Sequence, residues 1–385
     1  MVIAVNTRLL LKNRLEGIGW FTFETMKRIT VNHPEHQFVF IFDRPYDPQF
    51  IFADNVTPLV VSPPTRHPLL WYLWFEHRIP KVLKKVKADL FISPDGYLST
   101  RTDIPQLTVI HDLNFVHRPK DLPRLTSYYY NWFFPKFARI ASRVATVSVY
   151  SKNDIVHSFG ISQGKVDVVY DGHNTEYEPL PISEQVSVRN TYSGGSPYFL
   201  FIGALHPRKN VEGLLRAFEE FRYNTKGQEK LLIVGGEMFK TGPIYDYYRE
   251  MNFRDEVIFT GRIPVEDLRK ILGSALALTF VPFFEGFGIP VVEAMAAGVP
   301  VICSFTTSLS EVGGDAVLYA DPEQPSQIAW AMQKISSNET LRKTLIEKGT
   351  RQKDKFSWEK SAGLLWESIE RVLSSGKQEA VKGEG

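Results

Sequence analysis

The chain has 385 residues, 43% hydrophobic and 23% charged, with 45 Lys and Arg against 43 Asp and Glu and a formal net charge of +2. That length predicts two domains rather than one core, and the near balance of charge excludes a global attraction to nucleic acid, so that a basic site has to be local. The single cysteine, Cys303, excludes an internal disulfide framework and fits a reducing compartment, and no apolar run reaches the roughly eighteen residues of a spanning helix.

Residues 2–5 form a short β-branched run suited to a buried first strand. The start lacks the basic residues and long apolar core of a signal peptide, so the expected location is cytoplasmic. Residues 12–20 then bring Gly17 and Gly19 ahead of a helical stretch that runs to residue 29. Strand, glycine loop and helix in that order suit an anion at the helix start, and they suit a plain turn equally. No Gly-x-Gly-x-x-Gly follows, and there is no Gly-Lys-Ser/Thr phosphate loop, which disfavours dinucleotide oxidoreductases and P-loop ATPases. Residues 38–42 and 59–62 read as the next strands, and His33 and His36 fall in a surface loop.

Residues 71–87 place Trp71, Trp74, Phe75, Ile79, Val82, Leu83 and Val86 at near-helical spacing beside Lys81, Lys84, Lys85 and Lys87. This is either a membrane-surface helix or a core helix with its lysines in solvent, and Pro80 marks a kink or restart. Residues 128–143 invite the same two readings. Further strands are expected at 88–93, 106–110, 144–148 and 166–170, with a helix at 150–159 after Ser148. His111 and Asp112 follow the strand 107–110 directly, where open α/β sheets bind ligands. The pair suits a sugar hydroxyl or a diphosphate, or a purely structural strand end.

Residues 171–197 are rich in Gly, Pro, Ser, Asn and Glu and show little apolar periodicity, which makes them the best domain boundary. A second strand-helix alternation follows, with strands at 198–202, 231–234, 257–260, 275–281, 299–304 and 316–320, and with Gly203, Gly235-Gly236 and Gly261-Arg262 after the first three. Arg208 and Lys209 stand between the strand 198–202 and an amphipathic helix at 211–222, so two cations and free helix N–H groups meet at a strand end. That is a strong place for a diphosphate: Arg clamps two oxygens and Lys supplies a point charge. The stretch 283–303 reads as loop, short helix and strand, with Pro290 at the helix start and Gly298 at its cap. Glu293 falls on the first turn, behind a loop holding Glu285, Gly286 and Gly288. A carboxylate there is built for a polyhydroxylated ligand, or is the exposed Glu of a well-capped helix.

Several segments together resemble the family 4 retaining glycosyltransferases. They are residues 201–210 (FIGALHPRKN), Glu285 and Glu293 with seven residues between, Glu293-Ala294-Met295-Ala296-Ala297-Gly298, residues 310–316 (SEVGGDA), Thr146-Val147-Ser148 with Ser151-Lys152, His111-Asp112 and Gly17-Ile18-Gly19. The resemblance implies the GT-B fold, an α/β architecture of two Rossmann-like, doubly wound parallel-sheet domains facing across a cleft. It implies that Arg208 and Lys209 bind the donor diphosphate, that Glu293 binds the ribose and that Glu285 faces the donor sugar. The backbone of Phe287, Gly288 and Ile289 would contact sugar or phosphates, His111 the donor sugar, and Gly17 and Gly19 the diphosphate or acceptor. Gly203 and Arg262 complete the donor set, and His111, Arg208, Lys209 and Glu285 form the catalytic one.

Family relatives often send their last helix back onto the first domain. The expected division is therefore 1–178 with a helix at about 357–374, a linker at 179–194, a donor domain at 195–356 and a disordered tail at 375–385. One departure is the Tyr170-Asp171-Gly172-His173-Asn174 run, where many relatives have Pro-Asn-Gly-Val-Asp. There is no Asp-x-Asp pair, which argues against the metal-dependent class, and no cofactor is expected. The implied reaction moves a sugar from a nucleoside-diphosphate sugar, with GDP-mannose first, to a glycan or lipid-linked acceptor in surface polysaccharide synthesis. Peripheral contact with the inner face of a membrane is expected from the aromatic-basic stretches 71–87 and 128–143 on their membrane reading, and no nucleic-acid partner is expected. The alternatives are a non-catalytic sugar-nucleotide-binding protein, a sugar-nucleotide hydrolase or a glycan phosphorylase.

Overall fold

The computed structural model describes residues 1–238 and 240–382, the last eight of these by their backbone alone. The chain divides into two compact units, Met1–Gly172 with Trp358–Gly385, and His173–Ser357.

The first unit is built on seven parallel strands: β1 (Val2–Asn6), β2 (Gln37–Phe42), β3 (Val56–Val60), β4 (Leu90–Ser93), β5 (Gln106–Val109), β6 (Arg143–Thr146) and β7 (Val166–Val168). Their order is β3-β2-β1-β4-β5-β6-β7. Ile3, Phe38, Phe40, Phe91 and Leu107 have no exposed surface, as strands covered by helices on both faces require. The connection reverses between β1 and β4, and at such a switch point the loops leaving the strands part and open a crevice. β3 begins three residues before the expected 59–62 and contains Pro58. Proline removes a ladder N–H, and β3 tolerates it because it is the edge strand.

The stretch 71–87 proves to be three pieces: a helix at Pro68–Leu73, a π-helical turn at Trp74–Arg78 and a helix at Ile79–Val86. Pro80, at the start of the third piece, has no N–H to close the turn before it, and the wider turn absorbs the mismatch. Trp74, Phe75, Ile79 and Leu83 are buried in the core, so these side chains are packing groups and Lys81, Lys84 and Lys85 face solvent. Tyr129, Phe134 and Phe137 of the Arg124–Ile140 helix join the same core.

The final helix runs from Trp358 to Lys382, past the end expected near residue 374. The expectation of a disordered tail is corrected for 375–382, whose backbone is helical, while residues 383–385 lie outside the described residues. This helix packs on the Gly17–Asn32 helix: Arg28 Nε donates to Glu359 at 2.7 Å, and the His33 ring stacks on Trp366 with centroids 3.5 Å apart. His36 also lies against Trp366, so the two histidines are docking groups for the last helix, not loop decoration. Ser368 and Arg371 both bond to Asp167 of β7, at 2.8 and 2.7 Å.

The second unit carries six parallel strands: β8 (Tyr198–Ile202), β9 (Lys230–Val234), β10 (Val257–Gly261), β11 (Ala277–Phe280), β12 (Val301–Ser304) and β13 (Leu318–Ala320). The order β10-β9-β8-β11-β12-β13 places its switch point between β8 and β11. The linker expected at 179–194 is mostly a helix, Ile182–Ser193, within this unit. It buries only Val188 and Ser193, too little to leave an apolar period in the sequence.

The last helix gives a stability test. Trp366 is almost fully buried against His33, so Trp366→Ala removes that stack and is expected to destabilise the first unit by about 3 kcal/mol. Thermal unfolding followed by near-UV circular dichroism measures it, and an unchanged midpoint would mean the helix is not anchored there.

Candidate active site

The switch point of the second sheet decides which loops meet. β8 delivers residues 203–210 and β11 delivers residues 281–288 from adjacent strands, so both loops leave the same edge of the sheet. Asn210 fastens them: it adopts a left-handed conformation at φ +57°, and its Nδ2 donates to the carbonyls of Val281 at 3.0 Å and Pro322 at 2.8 Å. Phe283 N donates to the Arg208 carbonyl at 2.9 Å. A short 3-10 turn at Pro207–Lys209, capped by His206 accepting from Arg208 N, then presents the two cations side by side.

Both cations meet one carboxylate. Arg208 Nη1 donates to Glu285 Oε2 at 2.9 Å and to the Phe284 carbonyl at 3.0 Å, and Lys209 Nζ donates to the same Oε2 at 2.5 Å. Lys209 Nζ also lies 4.8 Å from the Phe280 ring centre. Burial by itself would raise the Glu285 carboxyl, but Arg208 and Lys209 outweigh it and hold the group below the ordinary carboxylate range. Glu285 is therefore ionised, and the three side chains carry a net charge of about +1 at a largely buried point. Ser308 supports the loop by donating to the carbonyls of Glu285 at 2.9 Å and Phe287 at 3.2 Å, and Thr307 Oγ1 accepts from Glu285 N at 3.3 Å.

Gly288 ends that loop at φ +104° as the cap of the Ile289–Ala296 helix. A side chain there would meet Leu309 Cδ2 at 2.5 Å, so position and space both demand glycine. Phe287 is buried with its ring edge against Phe356, and Ile289 is the first helical residue. Glu293 lies on this helix, partly exposed, and burial raises its carboxyl to about 8. At neutral pH that carboxyl is mainly protonated and can both donate and accept a hydrogen bond.

The glycines after β8 and β9 let the loops nearly touch. Gly203 N donates to the Val234 carbonyl at 2.9 Å, and a Cβ on Gly235 would fall 1.8 Å from the Gly203 oxygen. Gly203 lies near Lys209, since a Cβ there would be 3.8 Å from Lys209 Cε. Arg262 lies along Gly236, where a Cβ would come within 2.7 Å of its Nε. Lys209 and Gly203 are thus neighbours, and Arg262 joins the same run of loops through Gly236. A separate open groove of about 480 Å³, lined among others by His173, Tyr177, Ala296 and Lys353, contains none of these residues.

In the first unit, His111 follows β5 and Gly17 and Gly19 open the Gly17–Asn32 helix. His111 Nε2 lies 2.8 Å from the Pro94 carbonyl, which can only accept, so Nε2 carries the proton and Nδ1 is an acceptor. Burial lowers its pKa, which keeps the ring neutral. A substituent at Gly17 would meet nothing within 4 Å, whereas one at Gly19 would press on Leu15 and the Leu9 carbonyl at 3.1 Å. Sequence reasoning did not find the groups that hold Pro94. Arg8 Nε donates to Asp95 Oδ2 at 2.5 Å, and Asn6 Nδ2 donates to Asp95 Oδ1 at 2.7 Å and Ser93 Oγ at 3.0 Å. Asn210, Thr307 and Ser308 were missed as well. Asn before a helix and a Ser/Thr run after a strand were signals for them, though weak ones.

Residues 184–352 match the model of the Glycosyl transferases group 1, and residues 32–177 that of Glycosyltransferase Family 4. The chain belongs to the group 1 glycosyltransferases. The O-antigen chain mannosyltransferase B of Escherichia coli is 27% identical over 360 residues, covering 91% of this chain and 94% of that one. The O-antigen chain mannosyltransferase RfbU of Salmonella typhimurium is 25% identical over 294 residues, 74% of this chain and 76% of that one. In fold, the chain superposes on HepE of Anabaena, solved with UDP-glucose, with a TM-score of 0.75 at 15% identity, covering 96% of this chain and 100% of that one. Its two parallel-sheet units are those of the GT-B fold. Among the described residues of this glycosyltransferase, no group of three or more His, Cys, Asp or Glu is placed to hold a metal ion.

Glu293 sets a pH signature. Its folded pKa of about 8 exceeds the ordinary 4.5, so its neutral form favours the fold: that contribution is complete below about pH 4.5 and is lost as pH rises toward 8. Glu293→Gln stays neutral throughout. Its melting temperature should match the native protein near pH 5 and exceed it increasingly up to pH 8.5, by roughly 2–4 °C per kcal/mol regained. A gap that does not change with pH would show that Glu293 is ionised in the folded protein.

Proposed function

We propose that this glycosyltransferase moves a sugar, with retention at the anomeric carbon and without a metal ion, from a nucleoside-diphosphate donor to a glycan or lipid-linked acceptor in surface polysaccharide synthesis. The observation that carries the proposal is the convergence of Arg208 and Lys209 on one point at the switch of the second sheet, with Glu285 between them. The reaction breaks the bond between the anomeric carbon and the β-phosphate oxygen, so negative charge grows on the leaving diphosphate. Fixed cations in a largely buried site stabilise that charge more in the transition state than before it. In the same proposal Glu293 holds the ribose hydroxyls, and Glu285 lies against the transferred sugar. Gly203, Arg262 and the backbone at Phe287, Gly288 and Ile289 serve the donor. His111 offers Nδ1 to a sugar hydroxyl, its Nε2 being committed to Pro94. Gly17 and Gly19 serve the diphosphate or acceptor.

Mannose is the donor sugar we propose, carried as GDP-mannose. The support is the printed activity of the relatives in Escherichia coli and Salmonella typhimurium, which are O-antigen chain mannosyltransferases. Surface polysaccharide as the product rests on the same names. A panel of nucleoside diphosphates and sugar nucleotides, read by thermal shift at one ligand concentration, tests the base: a selective ligand raises the midpoint by an amount that grows with the logarithm of its affinity.

Two substitutions test the chemistry. Arg208→Ala and Lys209→Ala should each lower transfer by about 10²–10³-fold. Full activity in both would sink the diphosphate assignment, and sugar release at the same rate with and without acceptor would favour the hydrolase reading. Glu285→Gln separates binding from turnover. It removes the carboxylate that shares the two cations, so a nucleoside diphosphate should bind at least as tightly while transfer falls. Weaker diphosphate binding in that variant would mean that Glu285 organises the cations rather than competing for them.

A further inference from the structure

The surface of the first unit carries an apolar patch that its core does not use. The Arg124–Ile140 helix buries Tyr129, Phe134 and Phe137 but turns Leu125, Tyr128 and Trp132 outward, with Tyr128 67% and Trp132 52% exposed. Tyr128 and Trp132 stack on one another, one helical turn apart, with their rings 7° from parallel. Beside them lies the Pro68–Leu73 helix, joined through Trp71 stacked on Tyr130 at 5.5 Å and Tyr72 against Phe133 at 6.0 Å. That helix in turn exposes Leu69, at 68%, and Tyr72. Large side chains left in water on two adjoining helices mark an interaction surface rather than scattered exposure.

The charge around the patch says what it meets. Lys136 Nζ sits 3.9 Å above the Trp132 ring, Arg101 donates to the Tyr72 hydroxyl at 3.1 Å, and Arg124 is exposed one turn before Tyr128. Residues 66–87 and 118–143 together hold twelve Lys and Arg against two Asp and Glu. One of those two, Glu76, is buried, and the other, Asp121, is paired with Arg118. The chain totals only +2, so these stretches carry +10 and the remainder −8. We infer that this face, Leu69 and Tyr72 with Leu125, Tyr128 and Trp132 and with Arg101, Arg124 and Lys136 beside them, docks on an anionic lipid membrane surface.

Two features favour lipid over nucleic acid, which also attracts cations and aromatic rings. Leu69 and Leu125 have no π-face on which a base could stack, whereas acyl chains bury them. The nearest cations also lie on the aromatic rings themselves, Lys136 over Trp132 and Arg101 on the Tyr72 hydroxyl. Tyr and Trp with basic neighbours are the residues that settle at the headgroup boundary, their rings in the apolar layer and their polar atoms in water. Of the two stretches with a membrane reading, 71–87 has Trp74 and Phe75 buried and unable to insert, whereas 128–143 leaves Tyr128 and Trp132 exposed to do so.

Co-sedimentation of the whole protein with vesicles tests it. Phosphatidylcholine vesicles are compared with vesicles in which roughly one lipid in three is phosphatidylglycerol, at about 0.05 M and 0.5 M salt. Binding is expected only with the anionic vesicles and should weaken severalfold at the higher salt. The double variant Tyr128→Ser with Trp132→Ser, and separately Arg124→Glu with Lys136→Glu, should each lower the bound fraction at least fivefold. Both retain the core contacts, and an unchanged melting temperature verifies that they fold. The inference is overturned by equal binding to neutral vesicles, by binding to neither, by both variants behaving as the native protein, or by capture of a single-stranded oligonucleotide in place of the vesicles.

Discussion

Two cations drawn onto one carboxylate oxygen are the contact on which the catalytic reading depends. Arg208 and Lys209 come from the loop after β8, and Glu285 from the loop after β11. Gathering two like charges in a largely buried place is costly, and an ion pair there repays its desolvation only when its remaining hydrogen bonds are satisfied. Here the Phe284 carbonyl takes a second bond from Arg208, and Thr307 and Ser308 hold the backbone of Glu285. The turn at Pro207–Lys209 sets the cations side by side before any donor arrives, and Glu285 occupies them until then. The residual positive charge still leaves them able to receive a polyanion, and preorganised charge of this kind does no rearranging at the moment of reaction.

The rest of the second unit can be understood as making that contact reachable. The switch in strand order parts the loops at one edge of the sheet, and the glycines there remove side chains that would fill the space. Gly235 comes so close to Gly203 that no Cβ fits, and Gly288 turns the backbone into the Ile289–Ala296 helix through a region that L-residues avoid. Asn210 performs the opposite task, tying the two loops with one buried amide. The first unit shows the same economy on a smaller scale: Arg8, Asn6 and Asp95 fix the turn whose Pro94 carbonyl sets the tautomer of His111.

Most of this architecture is legible in the chain because parallel strands covered on both faces leave unbroken apolar runs. Residues 198–202 read as a strand without help from any neighbour, and so do 38–42. What escapes is whatever tertiary contact decides. Pro58 hides an edge strand because the rule against proline applies only where the N–H is needed. The Ile182–Ser193 helix hides because it buries one apolar side chain, and the length of the last helix because its final turns carry no apolar period. For the site, loop chemistry announces Arg208, Lys209 and the glycines. That Glu285 sits between the cations follows only from the strand order, which sets residues 208 and 285 at adjacent strand ends. The opposite ionisation tendencies of Glu285 and Glu293 are equally hidden, because each depends on what surrounds the carboxyl rather than on its position in a motif.

A binding cycle between the donor's β-phosphate and Lys209 reaches this contact without requiring an acceptor. The affinities of GDP and GMP are measured by calorimetry for the native protein and for Lys209→Ala. If Lys209 holds the β-phosphate, GDP binds the native protein at least tenfold more tightly than GMP, about 1.4 kcal/mol, and the advantage collapses in the variant. The same preference for GDP over GMP in both proteins would contradict the account, because the charge gathered beside Glu285 would then serve something other than the donor diphosphate.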